Sequence, residues 1–184
     1  WKWGVYYAEG GTGRIIDGLE KLLIKRDVNI KKNTEAKKII LKNNKVVGID
    51  TSQGIIDCDI VVCNSDPTYT YNNLLGFKPK KASNRFNLKH SMSLFVLYFS
   101  TTKIYKDVKH HTIIFSKRHY ELLNDIFNKK VFVSDPSLYL HRPGATDPSM
   151  IQNGNDTFYV LAPVPNNLSK IDWNDKGNKL ANII

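Results

Sequence analysis

The stretch "YYAEGGTGRIIDGLEKLL", residues 6–23, places three glycines within four positions and then a clean helical pattern. From Gly13 the apolar residues Ile15, Ile16, Leu19, Leu22 and Leu23 recur at helical spacing, with Arg14, Asp17, Glu20 and Lys21 between them, which predicts a helix from about Thr12 to Arg26. A glycine cluster at a helix start has two readings. Bare backbone lets a ligand come close, and the free N–H groups and positive dipole end favour an anion. The alternative is a tight turn into a helix with no ligand. Two phosphate-binding motifs are excluded. The dinucleotide fingerprint needs a third glycine where Ile16 stands, and a phosphate loop running from Gly13 to Gly18 needs Lys and Ser or Thr where Leu19 and Glu20 stand.

Working outward, "WKWGVYY" before the loop reads as a strand and "VNIKKN" after the helix as a short one. "AKKIIL" and "KVVGIDTS" flank "KNN", a hairpin signal. "GIIDCDIVVCNS" continues as strand material with a buried-looking "DIVVCN". Asp66-Pro67 supplies an N-cap and a first helical residue for a short helix closed by Gly76. "FKPKKASNRFNLKHS" is polar and basic and reads as a connector. Beyond it, "MSLFVLYFST" has the near-continuous apolar character of a strand buried on both faces, and "HHTIIFS", "SLYLHRP" and "TFYVLAPVP" read as further strands. "RHYELLNDIF" reads as an amphipathic helix with Tyr120, Leu123 and Phe127 on its apolar face, and "NDKGNKLANII" as a helix. The pattern predicts a mixed α/β (α+β) fold. Neither end carries a cap or a polar tail, so an internal fragment of a longer polypeptide is expected.

The 184 residues carry a net charge of +10, from 27 basic and 17 acidic side chains. The arginines are Arg14, Arg26, Arg85, Arg118 and Arg142, and the lysines form no dense run. Nucleic-acid readers cluster their basic residues and use Arg for base edges, so no nucleic-acid partner is expected. Cys58 and Cys63 match neither a redox pair nor a zinc spacing, which fits a reduced, cytoplasmic setting. The apolar run Leu94 to Phe99 is too short to span a bilayer. The histidines, His90, His110, His111, His119 and His141, show no paired-ligand spacing, so no metal site is expected. Adjacent His110 and His111 at a strand start should point to opposite faces. Asp135, Asp147 and Asp156 read as turn residues. "SLYLHRPGATDPS" runs Tyr139, His141 and Arg142 into a Pro-Gly turn; it is either a functional strand end, with Arg142 offering a planar fork to an anion, or an exposed turn.

Together the segments "WGVYYAEGGTGRIIDGLEKLL", "VVCNSDPTYTYNNLL", "SMSLFVLYF", "HHTIIFSKRHYELLNDIF", "SLYLHRPGATDPS" and "FYVLAPVPNN" resemble the bacterial and fungal phytoene desaturases, flavoproteins of carotenoid biosynthesis, in that family's order and spacing. The resemblance implies a partial FAD-binding, Rossmann-like domain over residues 1–76 and part of a mixed-sheet substrate domain over 77–184, without the N-terminal dinucleotide motif or the C-terminal flavin segment. It implies FAD as cofactor, bordered by Gly10, Gly11, Thr12 and Gly13, with Ala36 and the strand end Asn64, Ser65 and Asp66 also facing it. Ala36 departs from the valine frequent in the family.

The implied reaction passes a hydride from an allylic C–H of phytoene to the flavin, with repetition leading towards lycopene. An apolar channel for such a polyene would draw on Phe95 and Leu97 of "MSLFVLYF", on Tyr120, Phe127 and Phe158, and on Tyr139. His141 and Arg142 are the polar candidates for catalytic roles, Arg142 beside the reduced flavin's charge. Peripheral membrane association is implied by the lipid-borne substrate and favoured by the lysine excess. Two other readings stay open: a related carotenoid or apocarotenoid desaturase, isomerase or oxygenase on the same scaffold, and a basic binding module without a cofactor.

Overall fold

The computed structural model describes residues 2–4, 6–76 and 90–184, so most of the basic connector lies outside the described residues. The chain forms two compact units, Trp1–Leu22 with His90–Ile184, and Leu23–Lys89. Helices and two antiparallel sheets make it a mixed α/β protein. Helix α1 (Gly13–Lys25) forms where its periodicity predicts, and its apolar side chains Ile15, Ile16, Leu19, Leu22 and Leu23 are all exposed.

The smaller unit holds a three-stranded meander, β1 (Ala36–Lys42), β2 (Lys45–Thr51) and β3 (Gly54–Asp57), in the order β1-β2-β3. Asn43 and Asn44, at φ +52° and +59°, make the primed two-residue turn that the twist of a hairpin favours. Gly48 pairs with Asp57, and a Cβ there would stand 2.8 Å from the Ile56 carbonyl oxygen. Gly48→Ala should therefore pry β2 from β3 and lower unfolding stability by about 1–3 kcal/mol, read from denaturant midpoints. Asp66 caps α2 (Pro67–Tyr69), its Oδ1 accepting from the amides of Thr68 (2.8 Å) and Tyr69 (3.2 Å), and a π-helical turn over Thr70–Leu74 follows. Ile39 and Leu74 are the unit's buried aliphatics among the described residues.

Three stretches expected as strands form no strand among their described residues. The described part of "WKWGVYY" bends at Gly4 (φ +83°), and "VNIKKN" follows left-handed Asp27 and ends on left-handed Asn33. "DIVVCN" is irregular, with Ile60 80% and Val62 94% exposed. Apolar content fixes a strand only when a ladder partner is present, and none of the three has one among the described residues.

The larger unit is built on a four-stranded antiparallel sheet in the order β4-β7-β6-β5, with β4 (Ser93–Thr101), β5 (His111–Ile114), β6 (Leu138–His141) and β7 (Asp156–Val164). β4 pairs with β7 along nine residues, from Ser93 opposite Val164 to Thr101 opposite Asp156. It lies at an edge and its burial alternates, so it is not covered on both faces as its composition suggests. Directly opposed residues share a face, and the register therefore sorts the sheet into two unlike surfaces. One carries Phe95, Leu97 and Phe99 with Phe158, Val160, Ala162, Leu138, Leu140 and Ile114. The other carries Tyr98, Tyr159, His141 and His111 in one row across all four strands.

Helix α4 (Trp173–Ile183), capped by the Asp172 side chain on the Asn174 amide, covers part of the apolar face. Its Leu180 is fully buried against Ala162 and Val164, with Phe95, Phe132, Leu138, Trp173 and Ile184 packed around them. Helix α3 (His119–Asn124) continues as a π-helical turn over Asp125–Lys129. It turns Leu122 and Ile126 inward onto Val133 and leaves Tyr120, Leu123 and Phe127 exposed, the reverse of the expected face. Both stripes are apolar; the inward one packs on Val133, and Asp125 beside it pairs with Arg118 and Lys129.

Candidate functional site: a histidine–tyrosine cluster beside a glycine loop

The polar row of the large sheet gathers more side chains than the strands alone supply. His141 stacks on Tyr159 with ring centroids 4.4 Å apart, and His111 lies 5.4 Å from His141. His110 sits in the bend before β5, outside the pleat, so the expected divergence of the two adjacent histidines does not occur. Its ring is 4.4 Å from that of His111 and 4.6 Å from that of His141. Tyr7 packs edge-on against His110 at 4.7 Å and brings the glycine loop to the cluster.

The Tyr139 hydroxyl bridges two of these rings, 2.6 Å from His111 Nδ1 and 3.2 Å from His141 Nδ1. Thr146 Oγ1 lies 2.6 Å from His110 Nδ1. Burial pushes the Tyr139 hydroxyl up to about 12, so it stays protonated. Burial first, and the neighbouring His110 and His111 second, push His141 down from 6.5 to about 4. Burial likewise lowers His110. At neutral pH His141 is thus a neutral imidazole and Tyr139 a neutral phenol, able to exchange hydrogen bonds or to stack on a flat ring.

This has a measurable consequence. Between about pH 6.5 and 4 the unfolded chain takes up a proton on His141 that the folded chain refuses, so stability falls as the pH falls through that window. The loss should amount to about 2–3 kcal/mol between pH 7.5 and 4.5 in denaturant titrations. His141→Phe should flatten that slope.

The glycine loop answers its two readings in an unexpected way. Gly10 and Gly11 adopt φ of +82° and +88°, and α1 begins at Gly13. The Gly10 amide donates to Asp147 Oδ2 at 2.6 Å. The anion at this amide is therefore the chain's own carboxylate, which also accepts from the Ser149 amide (3.0 Å) and hydroxyl (2.6 Å). The Ser149 hydroxyl and then the Gly10 amide hold Asp147 below the usual carboxylate range. Asp147 is no mere turn residue: it ties the loop to the segment after β6. At Gly13 a Cβ would meet nothing within 4 Å, so the backbone stands bare there.

The remaining expected site residues distribute as follows. Arg142 points away from His141, because neighbours on a strand alternate. It is 4% exposed, and its Nε donates to Asp156 Oδ2 at 2.6 Å and its NH1 to the Val108 carbonyl at 2.9 Å. Tyr139 joins His141 on the polar face, whereas Phe95 and Leu97 lie on the apolar one. There Leu97, Phe99, Ile114, Leu138, Leu140, Val160 and Ile184 line a cavity of about 350 Å³ without a polar side chain. Tyr120 and Phe127 point outward. In the smaller unit Ala36 opens β1, Asn64 is exposed, and Asp66 is engaged as a cap. Ser65 Oγ lies 2.7 Å from Thr70 Oγ1 and 3.1 Å from Cys63 Sγ; hydrogen bonds from Ser65 and then Thr70 lower the thiol. Both cysteines are free. Among the described residues no helix is long and apolar enough to cross a membrane.

Sequence reasoning passed over Tyr7, His110, His111, Asp147 and Tyr159 as site members. Period-two alternation does put His141 and Tyr139 on one face of β6, but joining His111 and Tyr159 to them needs the register of three strands.

No family model matches the chain. It is 40% identical, over 97% of its length, to a lycopene-forming phytoene desaturase of Pseudescherichia vulneris, covering 37% of that protein. It is 38% identical, again over 97%, to a neurosporene-forming phytoene desaturase of Rhodobacter capsulatus, covering 36%. It is 32% identical over 94% to a 4,4'-diapophytoene desaturase of Methylomonas, covering 34%. The chain thus spans a little over a third of the length of these curated relatives.

Proposed function

We propose that this chain, a homologue of the phytoene desaturases along 97% of its length, forms part of an FAD-dependent oxidoreductase that introduces double bonds into phytoene on the way to lycopene. The carrying observation is that identity of 38–40% extends over 97% of the chain, which takes in the glycine loop and the large sheet. The apolar face of the large sheet supports it. A hydrocarbon chain offers no polar handle, and the cavity on the apolar face offers none in return.

Residues 1–76 are assigned to the flavin side and 77–184 to the substrate side. The Arg14 and Met150 side chains crowd the Cβ positions of Gly10 and Gly11, and the loop is open to a flat cofactor at Gly13. Those residues with Thr12, and Ala36, Asn64, Ser65 and Asp66, would border FAD, which supplies the hydride acceptor. Within the chain, Phe95 and Leu97 exclude water from the apolar wall, and His141 with Tyr139 is positioned to hold a proton at a ring nitrogen or phenol oxygen. The lysine excess supports peripheral binding to anionic lipid on the cytoplasmic side, at about 1 kcal/mol per well-placed residue.

The test supplies the intact gene product with FAD and phytoene in anionic and neutral vesicles. The expected result is a stepwise appearance of visible polyene absorbance, faster on anionic vesicles; no new absorbance on either overturns the reading. The Methylomonas relative favours a second one, a shorter diapocarotenoid substrate, so 4,4'-diapophytoene is supplied in parallel.

A further inference from the structure

We propose that His110, His111 and His141 form a binding site for a divalent transition-metal ion of the zinc, nickel or copper class. A ring nitrogen from each histidine lies within 4.8 Å of one from each of the others. Three imidazole nitrogens on a tetrahedral ion, each about 2.0–2.1 Å from it, are roughly 3.4 Å apart, so the rings need close by only about 1.4 Å. Small side-chain rotations cover that distance.

Ligating histidines are held by a partner on the second ring nitrogen, which fixes tautomer and orientation. All three have one. The Nδ1 atoms of His111 and His141 meet the Tyr139 hydroxyl, and Nδ1 of His110 meets Thr146 Oγ1. These contacts engage Nδ1 of each ring and leave its Nε2 uncommitted. His110 Nε2 is buried with no hydrogen-bond partner, a state that costs free energy and that an ion would relieve.

The surroundings suit the ion class. The donor set is all nitrogen, which selects zinc, nickel or copper over magnesium or calcium. His141 is buried and His111 exposed, so the site is walled on one side and open to solvent on the other. A water or small ligand can take the fourth position there, as in open three-histidine sites. Neither FAD nor phytoene enters this argument, so the proposal stands or falls apart from the desaturase reading.

Cobalt(II) is the probe, because its visible bands report tetrahedral nitrogen coordination. Chelator-treated protein titrated with cobalt should take up one equivalent with micromolar affinity or better and be displaced by one equivalent of zinc. His111→Gln, an exposed change that leaves the fold intact, should weaken uptake at least tenfold. Tyr139→Phe should weaken it about 10–100-fold by freeing two rings from their shared hydroxyl. His119→Ala, outside the cluster, should leave it unchanged. Absence of saturable uptake by folded wild-type protein, or uptake undiminished in both H111Q and Y139F, overturns the site.

Discussion

Arg142→Ala is expected to lower unfolding stability by about 3–5 kcal/mol, a large share of the about 5–15 kcal/mol that holds an ordinary domain folded. Arg142 and Asp156 are 4% and 0% exposed, and their Nε–Oδ2 contact is 2.6 Å. Asp156 Oδ2 also accepts the Tyr105 amide at 3.1 Å, so one carboxylate anchors the start of β7, the end of β6 and the loop after β4. Removing the guanidinium leaves that carboxylate charged, buried and without its counter-ion. Exchanging both partners, Arg142→Met with Asp156→Leu, should recover most of the loss, because an apolar pair of similar volume leaves no uncompensated charge. If R142A instead unfolds at the wild-type denaturant midpoint, the pair is not what holds these segments together. In an activity assay R142A should act through the amount of folded protein, not through chemistry at the cofactor, and so change kcat/KM per folded molecule little.

Leu180→Ala is expected to cost about 3–5 kcal/mol. Leu180 is fully buried against Ala162 and Val164, and truncation would open a void among Phe95, Phe132, Leu138 and Trp173 that the sheet cannot collapse to fill. At Gly177 of the same helix a Cβ would stand in ordinary contact with the Phe95 ring, 3.8 Å away. Ile184, just past α4, lines the apolar cavity, and loosening α4 should make that wall mobile. Thermal unfolding with intrinsic fluorescence reads the first effect. A midpoint within about 2 °C of wild type would show that Leu180 does not pin the helix.

Much of the architecture was legible from local pattern. The helix after the glycines, the Asn43–Asn44 hairpin and the Asp66 cap each depend on neighbours within a few residues, and each forms as read. What the pattern missed is what depends on distant partners. "DIVVCN" has the composition of a strand, yet no ladder claims it among the described residues. The α3 segment carries two apolar stripes, and the one that turns in packs on Val133, which the local pattern does not indicate. The site divides in the same way. Tyr139 and His141 were readable as a pair on β6, but the gathering of His110, His111, Tyr7 and Tyr159 around them comes from a bend before β5 and from strand register. Asp147 shows the same limit, since nothing local announces a partner 137 residues earlier in the chain.

The unbroken alternation of β7 from Asp156 to Val164 bears on how this segment can vary through descent. Exchanging residue types at any of its positions alters one spot on one surface. Losing or gaining a single codon within it would turn the downstream residues over, carrying tyrosine to the greasy side and leaving valine beside the imidazoles. Related chains should therefore tolerate considerable spelling change in this strand and almost no change in its length.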